Sequence, residues 1–326
     1  MLIRIFKTNY PAQVILFIVT AILLWMHGLL NPFPVDTNNL SQIQLTLLKP
    51  FVAVPFLGVI TALTLTIVEA LVFNQFLSAK EFVQRNTLLP AFLFLLLFSH
   101  GPHLLQVNAL TVATPLLLLL LMLMIHLPDS SELYVTLFFS AFFTTVASFF
   151  YAPAIFFLAF IWVSFIVNGV FTWREWVISL LGGIMPIVFI WSWLYLNDQP
   201  DLLSNLVWPR YINPFSNNPL PPVPETIVSI MIGLMFMAAF RYHLSSLLEN
   251  VLSFRRQFWT LTWFTIFALG SCLFSGQQVY QNLALVSIPA VALTSAWLLI
   301  RKRQRWLDVI LLTLFILTFL QNQRII

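Results

Sequence analysis

The sequence predicts an all-α polytopic membrane protein, and three observations carry that reading. Hydrophobic types make up 60% of the 326 residues and charged types only 8%, against roughly 25% in soluble domains. Phe counts 33 and Trp 11, more apolar bulk than so few charges can screen from water, and mean hydropathy is +0.94. The apolar residues fall in long unbroken runs without the alternation of barrel strands. Helices satisfy the backbone of such runs internally. A cytosolic enzyme, a disordered chain and a disulfide-built module are excluded. Cys272 is the single cysteine, so no internal disulfide forms.

About eleven runs reach spanning or near-spanning length. The first, 12–30, follows Arg4 and Lys7 and ends in Asn31-Pro32-Phe33-Pro34. It lacks a small-residue cleavage site and reads as a retained signal-anchor helix. The second is 51–73. The third, 88–99, is short and is expected to tilt into the bundle or to span only in part. The rest are 109–126, 134–149, 154–169, 177–196, 227–247, 258–275, 284–300 and 307–320. With no internal repeat and no polar domain, 1–326 reads as a single integral membrane domain without a soluble domain.

Orientation follows from the basic residues. With the N-terminus cytoplasmic and the runs alternating, twelve of the fifteen Lys and Arg fall inside and three outside: Lys49, Arg210 and Arg324. That split obeys the positive-inside rule and predicts a bacterial inner-membrane, multi-pass protein. The Pro128–Leu133 loop, with Asp129, Glu132 and no base, leaves the helix count around 88–153 open. Two outer loops are long, 31–50 and 197–225. In the first, apolar residues at 40, 43, 47 and 48 among polar ones predict an amphipathic interfacial helix, capped by Asn38 or Asn39. The second is rich in proline and reads as a rigid rim.

The outer loops are where a site is expected, since function sits on loops held by a rigid scaffold. Asp36 is the candidate catalytic residue, as a general base or a ligand for a divalent metal ion. His100, His103, Arg210 and Tyr211 are candidate substrate-binding residues for a phosphate or diphosphate. Each has a plain reading too: Asp36 as a solvated turn carboxylate, the histidines as interfacial residues at a helix end. Glu69 is the carboxylate inside a predicted span, about a turn from its cytoplasmic end. It carries chemistry by default, or it snorkels or pairs with Lys80 or Arg85. Walker, dinucleotide, His-Glu-x-x-His and Gly-x-Ser-x-Gly motifs are absent. The basic residues sit at helix ends and not on a patch, so the partner is the lipid bilayer and not nucleic acid.

Two resemblances enter here. The opening Met1–Tyr10, the stretch Asn86–Leu133, Phe149-Phe150-Tyr151-Ala152-Pro153 and Trp173-Arg174-Glu175-Trp176 resemble an uncharacterised Bacteroidetes membrane family, the domain of unknown function numbered 6427. The first outer loop, its amphipathic segment and the long late outer loop resemble the GT-C glycosyltransferase superfamily. That resemblance implies a GT-C-like bundle, a polyprenyl-phosphate-linked substrate and a catalytic role for Asp36. The acidic pair of that superfamily is missing, because Thr37 follows Asp36. Three readings therefore stand side by side. The chain is a non-catalytic or degenerate GT-C-like component of envelope biogenesis working with other membrane proteins, a membrane glycosyltransferase at the outer leaflet, or a transporter or flippase of lipid-linked material coupled through Glu69.

Overall fold

The structure is a computed structural model, and it describes residues 2–32, 42–83, 86–129, 132–198, 222–274, 282–301 and 305–323. Among these residues the chain forms thirteen α-helices joined by turns and short 3-10 segments. They are α1 (Leu2–Phe6), α2 (Pro11–Leu30), α3 (Gln42–Ala53), α4 (Pro55–Ala79), α5 (Leu89–Phe98), α6 (Ala109–His126), α7 (Leu133–Phe150), α8 (Phe157–Asn168), α9 (Trp173–Leu196), α10 (Val223–Ser245), α11 (Leu252–Leu273), α12 (Ala284–Ile300) and α13 (Arg305–Asn322).

All eleven apolar runs are helical. Among the described residues seven helices are long and apolar enough to cross a membrane: α2, α4, α6, α7, α9, α10 and α13. The protein is thus a multi-pass membrane protein. Helix ends follow local chemistry. Pro11 starts α2, where its missing N–H costs nothing. Asn108 caps α6 by accepting from Thr111 N at 2.8 Å. The Thr172 N–H donates to Glu175 Oε2 at 3.0 Å as one half of a capping box on α9. Gly169 ends α8 in the left-handed region at φ 78°, where a side chain would be strained.

Several boundaries depart from the sequence reading: α9, α10 and α11 start four to six residues before the runs at 177, 227 and 258, and two further departures concern α3 and α4. Of the interfacial helix expected over 40–48, residues 42–48 lie within α3, which continues to Ala53 and is separated from α4 only by Val54; residues 40 and 41 lie outside the described residues. The second run was read as 51–73, but α4 starts at Pro55 and continues to Ala79. Asn74 and Gln75 look like an end in sequence, yet Asn74 and Leu77 are buried and keep the helix inside the bundle.

α5 and α12 form the centre. All ten residues of α5 are buried, as are Leu285 and Ile288 through Leu299 in α12. A helix apolar all round has no polar face to show and sits in the middle. α5 packs against α4 and α12, and α12 also against α10 and α11. Its ten residues give about 15 Å of helix, half of a hydrocarbon core of roughly 30 Å. The rim carries the opposite pattern. Phe189 and Trp193 on α9 are 61% and 68% exposed, and Ile15, Ile22, Ile230 and Leu234 are likewise open. Apolar surface of that extent faces lipid.

Contacts at the two ends fix relative direction. At one end Ile3 N donates to Asp308 Oδ1 at 2.9 Å, and Leu88 N donates to Phe6 O at 2.9 Å. At the other, Trp25, Ser99 and Asn322 meet. So α2, α5 and α13 run parallel. The loops assigned above to one side also share contacts. Lys80 Nζ lies 2.6 Å from His126 Nδ1. Phe82 and Phe254 stack at 5.0 Å beside His243. The Arg301 guanidinium sits over the Tyr242 ring at 5.2 Å.

Candidate functional site

Of the polar places within the apolar interior, two stand out: the end of the bundle where α5 stops, and Glu69 within α4.

A helix leaves its last carbonyls without partners. At most helix ends water supplies the donors. Here Ser99 and His100 are buried, so the donors must be side chains. His100 Nδ1 bonds Leu97 O. Asn322 Nδ2 donates to Ser99 O at 2.8 Å and to Leu24 O at 3.2 Å. Gln321 Nε2 donates to His100 O at 3.0 Å. Asn108 Nδ2 donates to His103 O at 2.9 Å. Trp25 Nε1 donates to Ser99 Oγ at 2.9 Å. Carbonyls only accept, so each amide turns its nitrogen to the backbone and its oxygen away. The Leu97 carbonyl likewise fixes the His100 tautomer, with the proton on Nδ1.

The structure brings His100 and His103 together, their rings at right angles with centroids 6.4 Å apart. The His103 ring folds over Gly101, where a Cβ would lie 2.4 Å from Cε1. Glycine is what lets the ring close down. Among the described residues no group of three or more His, Cys, Asp or Glu is placed to hold a metal ion. The pair belongs to the helix-end network.

Burial lowers the pKa of His100 against the upward pull of its bond to Leu97. His103 retains some exposure as a residue, yet its Nε2 is fully enclosed. Burial first, and the neighbouring His100 second, bring His103 down to about 3. Both rings are neutral in the fold. Their contribution is complete above the unfolded value near 6.5 and is lost as pH falls below it, because only the unfolded chain then takes up the protons. Stability in detergent, read as the thermal midpoint, is expected to fall on acidification from pH 6.5 toward 4, with His103 contributing up to about 1.4 kcal/mol per pH unit and His100 adding in the same direction. His103→Gln should flatten that profile. A profile unchanged in His103→Gln would show that this ring does not set it.

Glu69 is deeper than its sequence position indicates. It was expected a turn from the end of its span, within reach of Lys80. With α4 continuing to Ala79, ten further residues follow it, about 15 Å of helix. Lys80 is engaged by His126 at that far end. Glu69 is 5% exposed and lies on the buried face of α4 with Thr66, Ala70 and Phe73. The Thr66 hydroxyl donates to Ala62 O, in its own helix. Glu69 Oε1 is buried and has no hydrogen-bond partner among the described residues.

Asp36, Arg210 and Tyr211 lie outside the described residues. The sequence reading missed Trp25, Glu225, Gln321 and Asn322. The available signal was Gln321-Asn322-Gln323 directly after the last apolar run, which looks like a polar tail. Nothing in it announces a partner near residue 100.

The model of a family of unknown function, DUF6427, matches residues 39–325, and the chain belongs to that family. No curated protein matches the chain, and neither does any solved structure.

Proposed function

We propose that this protein is a non-enzymatic component of the bacterial inner membrane that moves lipid-linked envelope material, with Glu69 taking up and releasing a proton in each passage. The observation behind this reading is the position of Glu69, deep in a 25-residue helix, buried, and with an oxygen that no described group satisfies. A carboxylate in that setting is costly to keep ionised and marks a functional position by default. Protonated, it is neutral and tolerates the apolar interior. Ionised, it draws in water or a cation. That difference is what a coupling residue requires.

The Lys80–Arg301 end is placed in the cytoplasm on the strength of the twelve-to-three distribution of basic residues. Glycosyl transfer has less support. Its described candidates, His100 and His103, are held in the helix-end network, and its other residues lie outside the described segments. If that alternative held, Asp36 would act on a polyprenyl-phosphate-linked sugar with His100, His103, Arg210 and Tyr211 around its phosphates.

The test is a quenching assay in proteoliposomes with a fluorescent polyprenyl-pyrophosphate analogue under a pH gradient. The wild-type protein should move the analogue. Glu69→Gln, which is permanently neutral, should slow it by an order of magnitude or more, while Glu69→Asp keeps part of the rate. Wild-type movement no faster than in protein-free vesicles, or equal movement by Glu69→Gln, removes this reading.

A further inference from the structure

The helix-end network leaves a surplus of acceptors. Gln321 and Asn322 direct their nitrogens to backbone carbonyls, so their oxygens point elsewhere. Gln321 Oε1 and Asn322 Oδ1 are buried without a partner among the described residues. Glu225, in the first turn of α10, stands beside the Gln321 side chain, and its Oε2 is in the same condition. All three residues are more than nine-tenths buried. They are contiguous: Gln321 and Asn322 are neighbours in sequence, they reach the adjacent carbonyls of His100 and Ser99, and Gln321 links them to Glu225. Three buried acceptor oxygens with no donor are an anomaly in a folded chain, and each costs free energy unless something supplies positive charge or protons.

We propose that the buried oxygens of Glu225, Gln321 and Asn322 form a binding site for a small, hard, largely dehydrated monovalent cation, Na⁺. The donor set consists of oxygens, which select hard cations over soft transition metals. It contains one carboxylate, so a monovalent ion leaves the buried site neutral and a divalent ion does not. The helix ends agree. The C-termini of α5 and α13 meet at this level, and each presents a partial negative charge of roughly half a unit. The N-terminus of α10 is the opposing pole, and Glu225 in its first turn offsets it. His100 and His103, the nearby bases, are neutral by burial and do not repel a cation.

This inference is independent of substrate movement and of Glu69. It is tested on the purified full-length protein in detergent, with thermal unfolding followed in NaCl, KCl, LiCl and choline chloride at equal ionic strength. NaCl should raise the midpoint saturably by several degrees relative to choline chloride, with KCl less effective. Glu225→Gln keeps the shape and removes the charge. Its midpoint should no longer respond to Na⁺, and in choline chloride it should match or exceed the wild type, because an unneutralised buried charge has been removed. Binding of ²²Na⁺ to the wild-type protein provides a readout that does not need the variant. It should saturate at about one ion per chain and be displaced by unlabelled Na⁺. Equal midpoints in sodium and choline salts, or no saturable ²²Na⁺ binding, overturn the proposal. A full Na⁺ response in folded Glu225→Gln overturns this site. Glu69→Gln should leave the Na⁺ response intact, so failure here and failure of the transport reading are separate results.

Discussion

Gly182→Val is expected to destabilise the helical bundle severely. Gly182 lies on α9 where that helix crosses α7, and the two share the most extensive interface among the described helices. A Cβ at position 182 would lie 2.3 Å from the Phe138 carbonyl oxygen and 3.0 Å from its carbon and Cα. Those atoms are backbone in the middle of α7, so no rotamer change relieves the overlap. Small residues are what allow helix backbones to approach this closely in a membrane. Valine forces the pair apart and opens voids along the rest of the seam, at a cost of about 3 kcal/mol or more. Even Gly182→Ala should be harmful. Gly183→Ala is the control. Its Cβ would meet Thr145 Oγ1 at 3.4 Å, an ordinary contact, and exchanging glycine for alanine in a helix should contribute about 0.5–1 kcal/mol of stability. Thermal unfolding of the purified variants in one detergent checks the pair. Equal midpoints for Gly182→Val and wild type would show that α7 and α9 do not approach as described.

Asn322→Leu should also be clearly destabilising. The side chain is fully buried, and its single Nδ2 serves two carbonyls, Leu24 O on α2 and Ser99 O just past α5. Leucine of similar size fills the space and leaves the Ser99 carbonyl without a donor where water does not enter, whereas the Leu24 carbonyl keeps its partner in the α2 ladder. The lost partner costs about 1–3 kcal/mol, tempered by the smaller values found for side-chain hydrogen bonds within membranes. The expected loss is therefore about 1–3 kcal/mol. Thr318→Val, one turn earlier on α13, is the matched comparison. The Thr318 hydroxyl donates to Leu314 O of its own helix, a carbonyl already held by the helix ladder, so the change should stay within about 0.5 kcal/mol. Similar midpoints for Asn322→Leu and Thr318→Val would mean that water reaches the end of α5.

These two positions show what could be read from sequence and what could not. Gly182-Gly183 and Gln321-Asn322-Gln323 are visible as letters, but nothing local distinguishes Gly182 from Gly183, or Asn322 from a solvated tail residue. The partner of Asn322 at Ser99 lies 223 residues away in the chain, and a single sequence carries no record of that pairing. Glu69 illustrates a third case. Its presence in an apolar run is legible, while its depth depends on α4 continuing through Asn74 and Gln75 to Ala79. Neighbouring helices decide that continuation by burying Asn74 and Leu77. His100 and His103 were found as a pair from sequence, and the fold shows them engaged with the end of a helix.

By itself, then, the sequence determined the membrane class and the helical character of the apolar runs as far as they are described. Those properties arise from hydrophobicity and charge, which each residue carries with it and which add along the chain. The tertiary structure alone decided where α5 would be closed off, which glycine meets a backbone, and how deep Glu69 lies. Those depend on hydrogen bonds and close contacts between segments far apart in the chain, and such pairings exist only once the helices have packed.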